Sequence, residues 1–211
     1  MIAAVVLAAG LSRRMGRPKA LLPWRAGETV IESVVRAVHA AGIYSVVVVG
    51  GYRLPEVSRV VTPLGAQMTM NPDYETGEML LSLKIGLNAL PDTVDAALIV
   101  LGDQPRIRPE VVRQIVGQYD PMQPRMVAPV TRSGGTIRRG HPILIPRWYW
   151  ADFLALPESA APREALDRRA EGVQFMLVED DSILSDVDTP EQYAAERERA
   201  GLPPLDLAEI G

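Results

Sequence analysis

Cysteine is absent from the 211 residues, which excludes disulfides, thiolate metal sites and cysteine nucleophiles outright. Histidine is nearly absent too, with only His39 and His141. No apolar run approaches the roughly 20 residues needed to cross a bilayer, and the opening MIAAVVLAAG is too short and too soon broken for a secretory signal. Membrane partners are therefore not expected, and the cytoplasm is the expected location. A cationic excess is missing as well: 22 Lys and Arg face 26 Asp and Glu, for a net charge of −4. Nonspecific nucleic-acid binding relies on a basic face that displaces counterions, so nucleic acid is not an expected partner. Two familiar phosphate motifs are also lacking, the Gly-Lys-Ser/Thr ending of the P-loop and the G-x-G-x-x-G fingerprint.

What is present suits one folded domain, with 47% apolar and 23% charged residues, near ordinary globular values. The expected division is a single domain over 1–200 and a peripheral or frayed tail, GLPPLDLAEIG, over 201–211. Ile2 to Leu7 is an apolar run of the kind that forms a parallel strand covered on both faces, and Tyr44 to Val49 and Ala96 to Leu101 repeat it. Between them, Val30, Ile31, Val34, Val35 and Val38 recur at helical spacing, a second helix is expected over about Glu75 to Leu90, and a third begins at Pro109. Strand and helix alternation predicts a three-layer α/β/α fold with a mostly parallel, doubly wound, Rossmann-like sheet. After Tyr119 the rhythm changes. Met126 to Val130 and Pro142 to Ile145 read as strands around a Ser133-Gly134-Gly135 turn, a small β insertion, before Val173 to Val178 restores a strand. Thr189-Pro190 opens a last helix, whose Glu196 to Arg199 should be solvated.

One segment breaks the charge balance. LAAGLSRRMGRPK, residues 7–19, places Arg13, Arg14, Arg17 and Lys19 in a loop directly after the first strand. In a doubly wound sheet that loop is the usual phosphate cradle. Gly10 and Gly16 would let backbone N–H groups approach phosphate oxygens, and the cations would neutralise charge that amides only partly offset.

This segment resembles the signature of the MobA-like nucleotidyltransferases, and with Ala20-Leu21-Leu22-Pro23-Trp24 after it the likeness to the molybdenum cofactor cytidylyltransferase branch is especially close. Further blocks follow in the family's order: Asn71-Pro72 with GEMLLSLKIGL (77–87), Leu101-Gly102-Asp103-Gln104-Pro105, Arg139-Gly140-His141-Pro142 and Asp186-Val187-Asp188-Thr189-Pro190. The resemblance implies a fold of the nucleotide-diphospho-sugar transferase type and nucleotidyl transfer from CTP to a molybdopterin-type cofactor, with Mg²⁺ as cofactor. A molybdenum hydroxylase would be a possible acceptor protein. It also implies that Leu7, Ala8, Ala9, Gly10, Ser12, Arg13, Gly16, Lys19, Asn71, Gly77, Ser82 and Gly102 handle the nucleotide. Arg13, Lys19 and Asp103 would act in catalysis.

Those assignments agree with the chemistry of the residue types. A compact lysine suits β- and γ-phosphates, an arginine suits bidentate contact, and hard carboxylate oxygens such as those of Asp103 suit Mg²⁺. Asp186 and Asp188, two apart, are both candidate metal ligands, and either could instead hold the start of the last helix. Ser82 is a candidate partner of the nucleobase or a helix cap. Arg14 and Arg17 could be rim charges. Arg139, Gly140 and His141, away from the nucleotide motifs, could meet the acceptor, with His141 equally suited to a structural turn. Trp148, Tyr149 and Trp150 could stack a pterin or belong to the core. His39 falls within the first helix pattern and is assigned to structure. Guanylyl transfer from GTP, cytidylyl transfer to another phosphorylated acceptor, and a cofactor-carrying chaperone are the alternative functions.

Overall fold

A computed structural model describes residues 1–76, 79–205 and 207. The apolar runs form the centre of an eight-stranded sheet. Strand β1 (Ile2–Ala8) lies between β2 (Val46–Gly50) and β4 (Ala96–Leu101), parallel to both, with Leu7 level with Val49 on one side and Leu101 on the other. Helix α1 (Val30–Ala40) buries its predicted stripe, and Thr29 starts it through a reciprocal capping box with Glu32. Helix α2 (Leu54–Val61) and strand β3 (Gln67–Met70), which extends the parallel sheet beyond β2, were not foreseen. α2 carries a short apolar stripe of Leu54, Val57, Val60 and Val61, of which Val57 and Val61 are buried, whereas QMTM is half exposed at the sheet edge.

Helix α3 covers Met79–Asn88, shorter than the expected Glu75 to Leu90. Tyr74–Thr76 forms a separate 3-10 turn. Gly86 lets α3 press onto β1, because a Cβ there would fall 2.2 Å from Val5 Cγ1. Helix α4 (Pro109–Val116) starts at its proline as expected. The successive crossovers place β2 and β3 on one side of β1 and β4 on the other. The chain therefore reverses its winding between β1 and β4, and the crevice beyond Ala8 and Leu101 is the topological switch point where doubly wound sheets bind ligands.

The other half of the sheet is mixed. Strand β5 (Met126–Ser133) turns through Gly134 and Gly135 into β6 (Thr136–Arg139). Strand β7 (Ile143–Pro146) inserts antiparallel to β4, with Ala96 opposite Pro146 and Ile99 opposite Ile143. Helices α5 (Trp150–Leu154) and α6 (Arg163–Arg168) follow, then β8 (Val173–Leu177), parallel to β5. Two apolar layers, one on each sheet face, complete the three-layer architecture.

Helix α7 (Pro190–Arg199) corrects one expectation. Glu196 and Arg197 are buried rather than solvated. Glu196 receives Arg106 Nε at 2.5 Å and also pairs with Arg199. Arg197 donates to the carbonyls of Trp24 at 2.8 Å and Pro203 at 2.8 Å. A charge enters a protein interior when each of its polar atoms finds a partner, and both do here. Met15, Trp24, Val30, Val187 and Tyr193 form a third apolar cluster, against which Leu202 and Leu205 pack. This cluster ties the cationic loop to α7. No helix among the described residues is long and apolar enough to cross a membrane.

Candidate active site

The loop after β1 is a compact turn. Ser12 adopts a left-handed φ of 54°, its carbonyl accepts from the N–H groups of Met15 and Gly16, and Gly16 supplies a second left-handed residue at φ 71°. Ser12 Oγ accepts from Lys19 N–H at 3.0 Å, which pins the lysine. Lys19 Nζ thereby reaches Asp103 Oδ2 at 2.6 Å and Asp188 Oδ1 at 2.7 Å, and Arg14 reaches the other oxygen of Asp188 at 2.7 Å. Acids more than eighty residues away in sequence balance two of the loop's cations, Arg14 and Lys19.

Gly102 is needed where the chain leaves β4. A Cβ there would lie 2.9 Å from the Leu7 carbonyl and 3.0 Å from Ala8, so only glycine lets the Asp103 turn approach β1. Asp103 is then anchored from behind, since its carbonyl accepts from Val187 N–H at 3.0 Å, placing the Asp186 to Asp188 segment alongside. Gln104, buried, donates to the Ile183 carbonyl at 3.2 Å and lies 3.5 Å from Asp186 Oδ1.

Burial works against the charged form of every group here, and the partners decide the outcome. Lys19 is held above its ordinary pKa because Asp103 and Asp188 outweigh desolvation. Burial dominates at Asp103 and raises its pKa in spite of Lys19, whereas Lys19 and Arg14 overcome burial at Asp188 and lower it. The two carboxylates are thus poised differently around one ammonium.

The cluster sits at one end of a cavity of about 290 Å³. Leu7, Ala9 and Gly10 line its β1 side, Leu101 and Asp103 its β4 side, and Asp186, Asp188, Arg14 and Lys19 its charged end. Asn71 and Ser82, both buried, line it too, with Asn71 Nδ2 donating to Ser82 Oγ at 3.0 Å. Asn71 is fixed in turn by accepting from Asp73 N–H at 3.0 Å. A smaller space of about 60 Å³ adjoins it beside Ala8, Ser12 and Gly102. Of the expected nucleotide residues, Gly16 and Arg13 border neither space, Arg13 donating instead to the Glu75 carbonyl at 3.4 Å, and Gly77 lies outside the described residues. Tyr74 and Met79 line the cavity without having been singled out; their closeness in sequence to Asn71 and Ser82 is the one signal that could have found them. Arg14 proves part of the cluster rather than a rim charge alone.

The acceptor candidates divide. His141 is not remote from the nucleotide motifs: its N–H donates to the Ile183 carbonyl at 3.0 Å, and Asp186 lies close enough to act on its charge. Burial nevertheless lowers its pKa to about 4, so its imidazole is neutral at pH 7. Gly140 is a packing residue, since a Cβ would meet the Ile183 carbonyl at 2.3 Å. Arg139 is exposed and pairs with Asp167 at 3.4 Å. The aromatic run follows its structural alternative. Pro146 stands level with Ala96 at the amino end of β4, so Trp148, Tyr149 and Trp150 lie at the sheet edge opposite the crevice. Trp150 is core, with Nε1 donating to the Ile145 carbonyl, Tyr149 donates to the Pro124 carbonyl, and Trp148 is exposed.

Divalent metal fits this donor set under one condition. Among the described residues no group of three or more His, Asp or Glu side chains is arranged to hold an ion alone. Mg²⁺, however, is usually held by one or two carboxylates with substrate phosphates and water completing the octahedron, and Asp103 and Asp188 already converge on one compact cation.

A switch-point crevice with a lysine shared between carboxylates and a buried amide–hydroxyl pair beyond them defines an α/β enzyme that handles nucleotides. The chain belongs to the MobA-like NTP transferase family, whose domain matches residues 4–173, and it is an enzyme of the nucleotidyltransferase type. It is 28% identical over 203 residues to the molybdenum cofactor cytidylyltransferase of Escherichia coli K12, covering 92% of this chain and 95% of that one. It is 30% identical over 194 residues to nicotine blue oxidoreductase of Paenarthrobacter nicotinovorans, covering 90% and 94%. The crystal structure of Rv0371c from Mycobacterium tuberculosis superposes with a TM-score of 0.79 at 25% identity over 93% and 97% of the two chains. That protein has also been solved in complex with manganese.

Proposed function

We propose that this chain transfers the cytidylyl group of CTP to the terminal phosphate of a molybdopterin-type cofactor, with Mg²⁺, releasing pyrophosphate. The observation that carries the reading is the Lys19 ammonium held between Asp103 and Asp188 at one end of a cavity that also contains the Asn71–Ser82 pair. A triphosphate needs a mobile cation, oxygen donors for a metal and a pocket for its base within one crevice, and this arrangement supplies all three.

In the transfer, an oxygen of the acceptor phosphate attacks the α-phosphorus and the bond to the bridging α–β oxygen breaks, carrying its electron pair away on pyrophosphate. No protein nucleophile is called for, so catalysis is positioning and charge stabilisation. Lys19 moves from its carboxylates to the β- and γ-phosphates, and Arg14 adds a second cation beside them. Asp103 and Asp188 are thereby freed to hold the metal, which when bound would neutralise charge on the phosphates. Asn71 and Ser82, each fixing the other, present polar atoms to the base, and Leu7, Leu101 and Met79 supply apolar contact. The choice of CTP is supported by the cytidylyltransferase relative and by Ala9, whose methyl narrows the β1 side where the guanylyl branch tends to carry glycine. His141, neutral and beside Asp186, suits hydrogen bonding to the acceptor. The domain assignment to residues 1–200, a cytoplasmic location and delivery of product to a molybdenum hydroxylase belong to the same reading.

The test is pyrophosphate release from purified protein with Mg²⁺ and the molybdenum cofactor, comparing CTP with GTP, ATP and UTP. Release with CTP, lost in Asp103→Asn, is the expected result. Release with GTP would keep the chemistry and reassign the base. The oxidoreductase among the relatives makes a parallel assay necessary, in which oxidation of a reduced nicotinamide dinucleotide by nicotine blue, without pyrophosphate release under any condition, would overturn the reading.

A further inference from the structure

Helix α7 starts beside Asp188 and has almost no apolar face of its own, since Tyr193, Glu196 and Arg197 are its buried residues. A helix is normally held to its domain by an apolar stripe. Here the anchorage falls to polar contacts and to the chain that follows. Gly201 takes a left-handed φ of 67°, its N–H donates to the Glu198 carbonyl, and Leu202 N–H donates to the Arg197 carbonyl, both at 2.9 Å. This pair of bonds is a Schellman turn, which ends the helix and folds the chain back along it. Leu202, Leu205 and Leu207 are thereby laid on the cluster of Met15, Leu22, Trp24, Val30, Val187 and Tyr193.

That cluster is separate from the two sheet cores, and its members are interleaved with the site. Met15 follows Arg14, Leu22 comes three residues after Lys19, and Val187 stands between Asp186 and Asp188. Arg197 joins the two sides, because its buried guanidinium donates at 2.8 Å both to the Trp24 carbonyl and to the Pro203 carbonyl. We infer that the segment beginning at Leu202 is a clasp, which through Arg197 and this cluster holds Lys19 and Asp188 in the arrangement that receives a triphosphate. Leu202, Leu205 and Arg197 are then positioning residues, since none of them lines the cavity. With the clasp open, the loop and the Asp188 segment lose their common backing. The competent arrangement becomes a fraction of the population, and apparent nucleotide affinity falls by that fraction. Saturating nucleotide restores the arrangement, so turnover at saturation is retained. By linkage, bound nucleotide tightens the clasp to the same extent.

The experiment compares the full-length wild type with the double variant Leu202→Asn/Leu205→Asn and with Gly201→Val. The second variant removes no apolar contact: no atom lies within 4 Å of a Cβ added at Gly201, so it acts only by penalising the left-handed turn. Amide hydrogen exchange without ligand is read first. Met15 and Gly16 N–H are bonded to the Ser12 carbonyl, and Val187 N–H to the Asp103 carbonyl. These three should exchange about tenfold faster in the double variant, with a smaller rise in Gly201→Val, and the amides of β1 and β4 should change less. KM for CTP should rise about tenfold in the double variant with kcat within about twofold of wild type, and CTP with Mg²⁺ should slow exchange at Leu202 N–H. The kinetic arm rests on the cytidylyl transfer proposed above, and exchange without ligand does not. A wild type that turns over no CTP would refute that transfer, and the exchange rates would still decide the clasp. Unchanged exchange at Met15, Gly16 and Val187, equal acceleration in the loop and the sheet, or a fall in kcat at unchanged KM would each overturn the inference.

Discussion

The two halves of the sheet achieve their geometry by different means. From β1 to β4 the strands are parallel, with β1, β2 and β4 buried on both faces, their carboxyl ends share one edge, and that edge collects Lys19, Asp103 and the Asn71–Ser82 pair. From β5 to β8 the directions are mixed, the strands are more exposed, and the functional candidates scatter. His141 lies buried near Asp186 without lining the cavity, Arg139 pairs with Asp167 outside it, and the aromatic run lies at the opposite edge. Parallel strands deliver every loop after a strand to one place, so a ligand site there is a consequence of topology. An antiparallel hairpin sends alternate loops to opposite edges, and sequence proximity then says little about shared function.

The sharpest way to break this contrast is to remove the charge that organises the parallel half. Asp103→Asn keeps the shape of the side chain but removes the anion that Lys19 faces at 2.6 Å. We expect pyrophosphate release to fall by about a hundredfold or more with the fold intact, measured by steady-state turnover beside a melting curve. Equal turnover would show that the carboxylate is structural.

The mixed half should respond in stability and in pH dependence. His141 has its pKa lowered to about 4 by burial, against an ordinary value of 6.5. Between those two values the unfolded chain binds a proton that the folded chain refuses, so stability present above pH 6.5 is lost as pH falls toward 4. The loss attributable to this group is about 2–3 kcal/mol. Denaturant unfolding of wild type and His141→Gln at pH 4.5 and 7 should give a shallower pH dependence for the variant, and identical slopes would contradict the burial assignment.

A packing change sharpens the comparison from the parallel side. Gly86→Val forces side-chain atoms into the space where even a Cβ lies 2.2 Å from Val5, and should lift α3, the helix that carries Ser82. The expected destabilisation is about 1–3 kcal/mol, read as a lowered melting temperature, with a raised KM for the nucleotide. A lowered melting temperature with unchanged KM would separate Ser82 from nucleotide binding. The smallest effect is expected at the far edge. Trp148→Ala, exposed at 79%, should change neither turnover nor stability by more than about 0.5 kcal/mol, and a loss of acceptor affinity would return the aromatic run to the site.

How far the sequence was legible follows the same division. β1, β2, β4 and α1 announce themselves because burial on both faces of a sheet, or along one stripe of a helix, writes a pattern that side chains alone reveal. Tyr44, taken as the start of β2, is exposed because the strand begins only at Val46. β3 was missed because an edge position demands no apolar pattern, whereas α2 was missed although Leu54, Val57, Val60 and Val61 recur at helical spacing over its eight residues. Within the site, Lys19 and Asp103 were readable from the ends of apolar strands, and their convergence follows from the switch point. The role of Arg14 was hidden, since its partner Asp188 is 174 residues away. Glu196 and Arg197 were misread for a related reason. Their charges look solvated in a helix taken by itself, and only the packing of α7 against Arg106 and the Pro23–Trp24 turn supplies the partners that make their burial possible.

The central claim is that Lys19 and Asp103 work as one unit on a bound triphosphate, and a double-variant cycle on pyrophosphate release with CTP tests it most directly. Lys19→Met, Asp103→Asn and the combination would be compared with wild type under saturating Mg²⁺. If the pair is a unit, the double variant will be no slower than the worse single variant within experimental error. If the combined loss equals the product of the single losses, the two residues act independently and the account is contradicted.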